Sequence, residues 1–99
     1  MCGFFGIFHK KKFKKDLDKF NKSANLISHR GPDDSRYTEL DRLQVKFFRL
    51  SILDLSKNGM QPMISKNNRY LMVFNGEIYN ANILKKKLLN IDFKSTSDS

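Results

Sequence analysis

An apolar run at the start of the chain, Gly3-Phe4-Phe5-Gly6-Ile7-Phe8, constrains the fold more than any other feature. Six residues rich in aromatics and isoleucine, with no polar alternation, read as a strand buried on both faces. A strand of that kind needs cover from two sides. The chain has 99 residues, enough for one small domain at most. A domain of that size buries only about 60–65% of its unfolded surface, so its core is marginal. Gly3 and Gly6 interrupt the run, and glycine inside a strand often marks close approach of another backbone or of a ligand.

The rest of the chain supplies material for layers. Residues 9–15 are basic and read as a turn. Asp16 is placed to cap a helix over 17–28, with Leu17, Phe20, Ala24 and Ile27 on one face. Gly31-Pro32 ends it, and residues 29–34 form a polar loop. Residues 36–40 and 43–51 read as two strands around Asp41. In the second, Leu43, Val45, Phe47 and Arg49 fall on one face. Residues 54–68 read mostly as loop and 70–74 as a further strand. Asn75-Gly76 then has the composition of a hairpin turn. Asn80 is placed to cap a last helix over 81–89. Strands, hairpins and two helices in this order predict a layered α/β or α+β arrangement. With so few strands, the sheet is left with bare edges and one uncovered face.

Composition excludes several classes. No apolar run approaches the ~20 residues of a membrane helix, and no secretory signal is visible, so the expected location is the cytoplasm. A single cysteine rules out an internal disulfide and leaves one thiol for chemistry. One cysteine and two histidines are too few for a zinc site, and no metal is expected. The formal charge of +9 and pI of 9.9 raise nucleic-acid binding as a second function class. Lysines at 10–15 and 85–87 lie beside apolar residues, however, and read as solvated surface, which sets nucleic acid aside as a partner.

Three places are able to carry chemistry. Cys2 follows the start methionine, and removal of Met1 would give one residue both a thiol and a free α-amine. Their reference pKa values are ~8.5 and ~7.7–8.0, so the amine can take the thiol proton, directly or through one water. On position alone, a small buried hydrophobe at a strand start is the stronger reading. Arg49 shares a face with Val45 and Phe47, so its guanidinium needs an anionic partner. That partner is either a structural aspartate or a ligand carboxylate held in bidentate fashion. Asn75-Gly76-Glu77 is either a tight turn or an oxyanion hole, with the Asn75 amide and the Gly76 N–H as donors. The loop at 29–34 reads as a hydrogen-bonded structural loop that borders the substrate in the sharper alternative.

Taken in order, Met1-Cys2-Gly3, SHRGPDD at 28–34, RLSILDLS at 49–56, NGMQPM at 58–63 and FNGEIYN at 74–80 resemble the glutaminase domain of glutamine-hydrolysing asparagine synthetases. The resemblance covers residues 1–99 and extends to the closing STSDS. It implies an α+β fold of the N-terminal nucleophile class, a four-layer αββα sandwich of which only the first part is present. It also implies that Cys2 is the nucleophile and that Asn75 and Gly76 form the oxyanion hole. Arg49 would bind the glutamine α-carboxylate, with Leu50, Ser51, Ile52 and Leu53 lining the pocket, and Glu77 and Asp98 would hold the α-ammonium group. On this resemblance the glutaminase part would need no cofactor, and ATP and magnesium would belong to a synthetase domain absent from this sequence. The chain would then be truncated, or partnered by a separately encoded remainder, and a catalytically dead remnant is the alternative. Phe4, Phe5 and Phe48 are bulkier or more apolar than the family's usual residues, a departure that bears on packing.

Overall fold

The computed structural model describes residues 1–11, 16–51 and 56–93. Its centre is a three-stranded antiparallel sheet in the order β1-β3-β2, formed by β1 (Gly3–Phe8), β2 (Asp34–Leu40) and β3 (Leu43–Arg49). β2 and β3 form a hairpin whose register pairs Leu40 with Leu43 and Asp34 with Arg49. Its two-residue turn carries Asp41 at φ 51°, a left-handed conformation that Asp and Asn tolerate better than most residues. β1 pairs with the other side of β3, Gly3 opposite Phe48 and Phe8 opposite Leu43.

One sheet face is covered by α1 (Leu17–Ala24) and the 3-10 segment Asn25–Arg30 that continues it. Asp16 caps α1 as expected, accepting a hydrogen bond from the Lys19 N–H at 3.0 Å. Phe20 and Ala24 are buried against Phe48, with Phe5, Ile7, Ile27 and Tyr37 packed around them. The Phe20 ring meets Phe5 and Tyr37 edge-on, both at 5.2 Å between centroids. Each such pair contributes about 0.5–1.5 kcal/mol beyond its buried area. Lys46, on this same face, donates to Asn21 and Asn25 at 3.1 and 3.2 Å, so the helix is tied to the sheet by polar as well as apolar contacts. Gln44 links His9 at 2.8 Å to the Tyr37 hydroxyl at 3.0 Å across the same face.

Several expectations are corrected. The helix expected over 17–28 ends at Ala24 and tightens into the 3-10 segment, which carries the chain to Gly31. β1 is buried on one face only. It is an edge strand, and α1 covers Phe5 and Ile7, whereas Phe4 and Phe8 on the other face are 44% and 68% exposed. The apolar run reflects hydrophobic demand on both faces, met here on one. β3 is the reverse case: as the central strand it buries Val45, Phe47 and Arg49 on the expected face and Gln44 and Phe48 on the other. It ends at Arg49, two residues short of the expected boundary.

The second half is sparser. A 3-10 turn Lys57–Gly59 precedes β4 (Met63–Ile64), which pairs antiparallel with β5 (Leu71–Met72). The strand expected over 70–74 is thus only two residues long. Asn75-Gly76 is not a hairpin turn: neither residue has positive φ, which a type I′ turn requires, and α2 (Ala81–Lys87) follows. Asn80 occupies the start of α2, but its side chain makes no capping bond. The lysines of α2 fall in its last turn, where they complement the helix dipole. The architecture is α+β, and no helix among the described residues is long and apolar enough to cross a membrane.

Candidate active site

Pairing of β1 with β3 decides where Cys2 goes. Gly3 opposite Phe48 puts the preceding residue beside the end of β3. The half-buried Cys2 thiol meets Leu50 there: its Sγ accepts from the Leu50 N–H at 3.3 Å, and its S–H donates to the Leu50 carbonyl at 3.5 Å. The thiol thus prolongs the ladder by one side-chain pair, next to Arg49. Arg49 is 6% exposed at the end of β3, as the alternation of 43–49 requires.

Residues 30–33 hold these groups together. Arg30 Nε donates to the Cys2 carbonyl at 3.2 Å. The Arg30 side chain lies across Gly3, where an added Cβ would stand 3.1 Å from its Cδ. Gly31 sits directly on the β3 backbone: a Cβ there would be 2.2 Å from the Phe48 carbonyl carbon and 2.5 Å from the Arg49 nitrogen. Pro32 forms a parallel bridge with Arg49, and the Asp33 N–H donates to the Arg49 carbonyl at 3.0 Å. Asp33 Oδ2 then accepts from the Ser51 N–H at 2.7 Å. The loop read as structural is indeed hydrogen-bonded, and its partners are Cys2, Arg49 and Ser51 themselves. Sequence reasoning gave Gly31 only the part of ending the helix and gave Arg30 and Asp33 no part beyond membership of the loop, although all three lie in the SHRGPDD motif.

The structure brings Cys2, Arg49, Leu50 and Ser51 into one cluster. Asn75, Gly76 and Glu77 are exposed on the segment between β5 and α2, and among the described residues no hydrogen bond joins them to Cys2. Phe74, just before them, is held on its N–H and its carbonyl by the buried side chain of Gln61. Ile52, Leu53 and Asp98 lie outside the described residues. No group of three or more His, Cys, Asp or Glu among the described residues is arranged to hold a metal ion. What the cluster offers is a thiol held on the Leu50 N–H and carbonyl, one residue along the chain from the buried Arg49.

A family model described as a glutamine amidotransferase domain matches residues 1–99. Asparagine synthetase [glutamine-hydrolyzing] 2 of Bacillus subtilis (strain 168) is 42% identical, covering 99% of this chain and 13% of the relative. Asparagine synthetase B [glutamine-hydrolyzing] of Escherichia coli (strain K12) is 36% identical, covering 86% of this chain and 15% of the relative. Amidase chyE of Penicillium rubens is 35% identical over 83% of this chain and 12% of its own length. The chain therefore spans a small part of the curated relatives it matches, 22% of the length at most among those most similar. Because that family model matches the chain over residues 1–99, the chain belongs to the glutamine amidotransferase domain family.

Proposed function

We propose that this chain is the front part of a glutaminase in which Cys2, exposed as the N-terminal residue by removal of Met1, attacks the side-chain amide of glutamine. The observation that carries the reading is the anchoring of the Cys2 thiol on Leu50, one residue from the buried Arg49. Met1 is 64% exposed, so it is open to removal, and Cys2 is a small residue that permits it.

In this mechanism the freed α-amine takes the thiol proton, directly or through one water, and the sulfur adds to the amide carbon. Negative charge passes to the amide oxygen, where the Asn75 side-chain amide and the Gly76 N–H donate to it; one such donor contributes about 10²–10³ in rate. Proton return to the amide nitrogen expels ammonia and leaves a γ-glutamyl thioester. Water adds to that thioester and releases glutamate and the thiol. Arg49 pairs with the glutamine α-carboxylate, the backbone of Leu50, Ser51, Ile52 and Leu53 lines the pocket, and Glu77 and Asp98 hold the α-ammonium group. A zwitterionic amino acid needs one cation and one or two anions at fixed separation, and these residues have those signs.

The domain assignment, residues 1–99 as a partial glutamine amidotransferase domain of the four-layer αββα type, belongs to the same proposal. So does the use of the ammonia. Relatives bearing the name asparagine synthetase favour ATP-dependent conversion of aspartate to asparagine, in a polypeptide covering the rest of their length, with ATP and magnesium bound there. Exposed Phe4, Phe8 and Leu89 favour a chain that works together with such a remainder.

The test is glutamine hydrolysis by Met1-processed protein, alone and mixed with the remaining polypeptide, with acid-quenched mass spectrometry at Cys2. A γ-glutamyl adduct on Cys2 and ammonia release that Cys2→Ala abolishes are expected. Absence of both in the mixture would refute the assignment.

A further inference from the structure

β5 ends at Met72, so the backbone of Phe74 lies beyond the β4–β5 ladder and pairs with no strand among the described residues. Its polar groups still need partners. They find them in one side chain: Gln61 Nε2 donates to the Phe74 carbonyl at 3.0 Å, and Gln61 Oε1 accepts from the Phe74 N–H. Gln61 is 4% exposed and follows the buried Met60, so its amide is not free to swing away. A primary amide matches the spacing of a backbone N–H and C=O, and Gln61 replaces a neighbouring strand at this one residue.

We infer that Gln61 is a positioning residue for Asn75 and Gly76, acting through the Phe74 backbone. The Phe74 carbonyl and the Asn75 N–H belong to one planar peptide group. Fixing the carbonyl therefore fixes the peptide plane that ends at the Asn75 Cα, the atom from which the Asn75 side chain departs and from which the Gly76 N–H lies one φ/ψ pair further on. Gly76 also lies beside the Phe74 ring, which an added Cβ would approach to 3.1 Å. The buried amide thus anchors the backbone from which two exposed donors extend, on a segment without regular structure. The inference rests on the reading of those donors as the oxyanion site. An oxyanion site acts only on the charge that develops in the transition state, so misaiming it lowers kcat and leaves KM largely unchanged.

The experiment compares the whole chain, in the mixture that hydrolyses glutamine, with Gln61→Met and Gln61→Glu. Methionine keeps the shape and loses both hydrogen bonds; glutamate keeps the acceptor for the Phe74 N–H and loses the donor to its carbonyl. Gln61→Met is expected to lower kcat about ten- to hundredfold with KM within about threefold, a fraction of a full donor loss. Alkylation of Cys2 by iodoacetamide, which develops no oxyanion, should proceed at the wild-type rate. Amide hydrogen exchange should quicken at Phe74 in Gln61→Met and stay slow there in Gln61→Glu, and the backbone amide chemical shifts of Asn75 and Gly76 should move in Gln61→Met. A lowered melting point with kcat unchanged overturns the proposal, as does loss of Cys2 alkylation in parallel with kcat. If the wild-type mixture hydrolyses no glutamine, the functional reading fails separately. The amide chemical shifts then decide the positioning role, and unchanged shifts at Asn75 and Gly76 in Gln61→Met overturn it.

Discussion

Replacing Gly31 by alanine adds one carbon atom, and the geometry gives that carbon nowhere to go. The new Cβ would lie 2.2 and 2.3 Å from the carbonyl carbon and oxygen of Phe48 and 2.5 Å from the Arg49 nitrogen. All three are backbone atoms of the central strand, so no side chain can swing aside. Relief requires residues 30–33 to lift off β3 by roughly 1 Å, the difference from an ordinary contact of about 3.5 Å. That movement breaks the Asp33 N–H bond to Arg49, the Ser51 N–H bond to Asp33 and the Arg30 bond to the Cys2 carbonyl. A neutral hydrogen bond contributes about 0.5–1.5 kcal/mol and one to a charged group about 1.5–3. The Asp33 carboxylate bond is exposed and counts at the low end, so the total loss is at least about 3 kcal/mol. For a domain near 100 residues, 1 kcal/mol moves the melting point by about 4–8 °C, so Gly31→Ala should lower it by at least about 12 °C. Far-UV circular dichroism during heating measures this directly. Gly76→Ala is the internal comparison, since its Cβ meets only the movable Phe74 ring and should shift the melting point far less. Equal melting points for Gly31→Ala and wild type would show that the loop does not rest on β3.

Phe20→Ala removes the aromatic that joins Phe5, Tyr37 and Phe48, at a cost of about 3–5 kcal/mol, and should abolish a cooperative thermal transition; retention of a transition near the wild-type midpoint would contradict the packing. Asp16→Ala should destabilise by about 1 kcal/mol through loss of the cap on the Lys19 N–H, whereas Asp16→Asn should lose little; identical urea midpoints for the two variants would count against the cap.

Local rules made much of this molecule legible. The alternation of 43–49 placed Arg49 on a buried face, because parity along a strand is a property of the backbone and needs no partner. Asp16 was legible for the same reason, since a cap acts within one turn. The hairpin around Asp41 followed from two strand-forming runs meeting at a residue that tolerates positive φ. The order of motifs also led to the family.

What stayed hidden depends on contacts between distant residues. Sequence could not show that β1 would be an edge strand with Phe4 and Phe8 outward, since hydrophobicity states a demand for cover and not whether cover arrives. Nor could it show that Gly31 serves a close backbone approach, that Arg30 reaches the Cys2 carbonyl 28 residues away, or that Gln61 stands in for a strand beside Phe74. By itself the sequence determined which residues are fit for chemistry, because a thiol, a guanidinium and a carboxamide keep their character in any fold. Which of them meet was decided only by tertiary structure, because strand pairing and loop docking set positions to within a hydrogen bond, and no pattern along one chain carries that information.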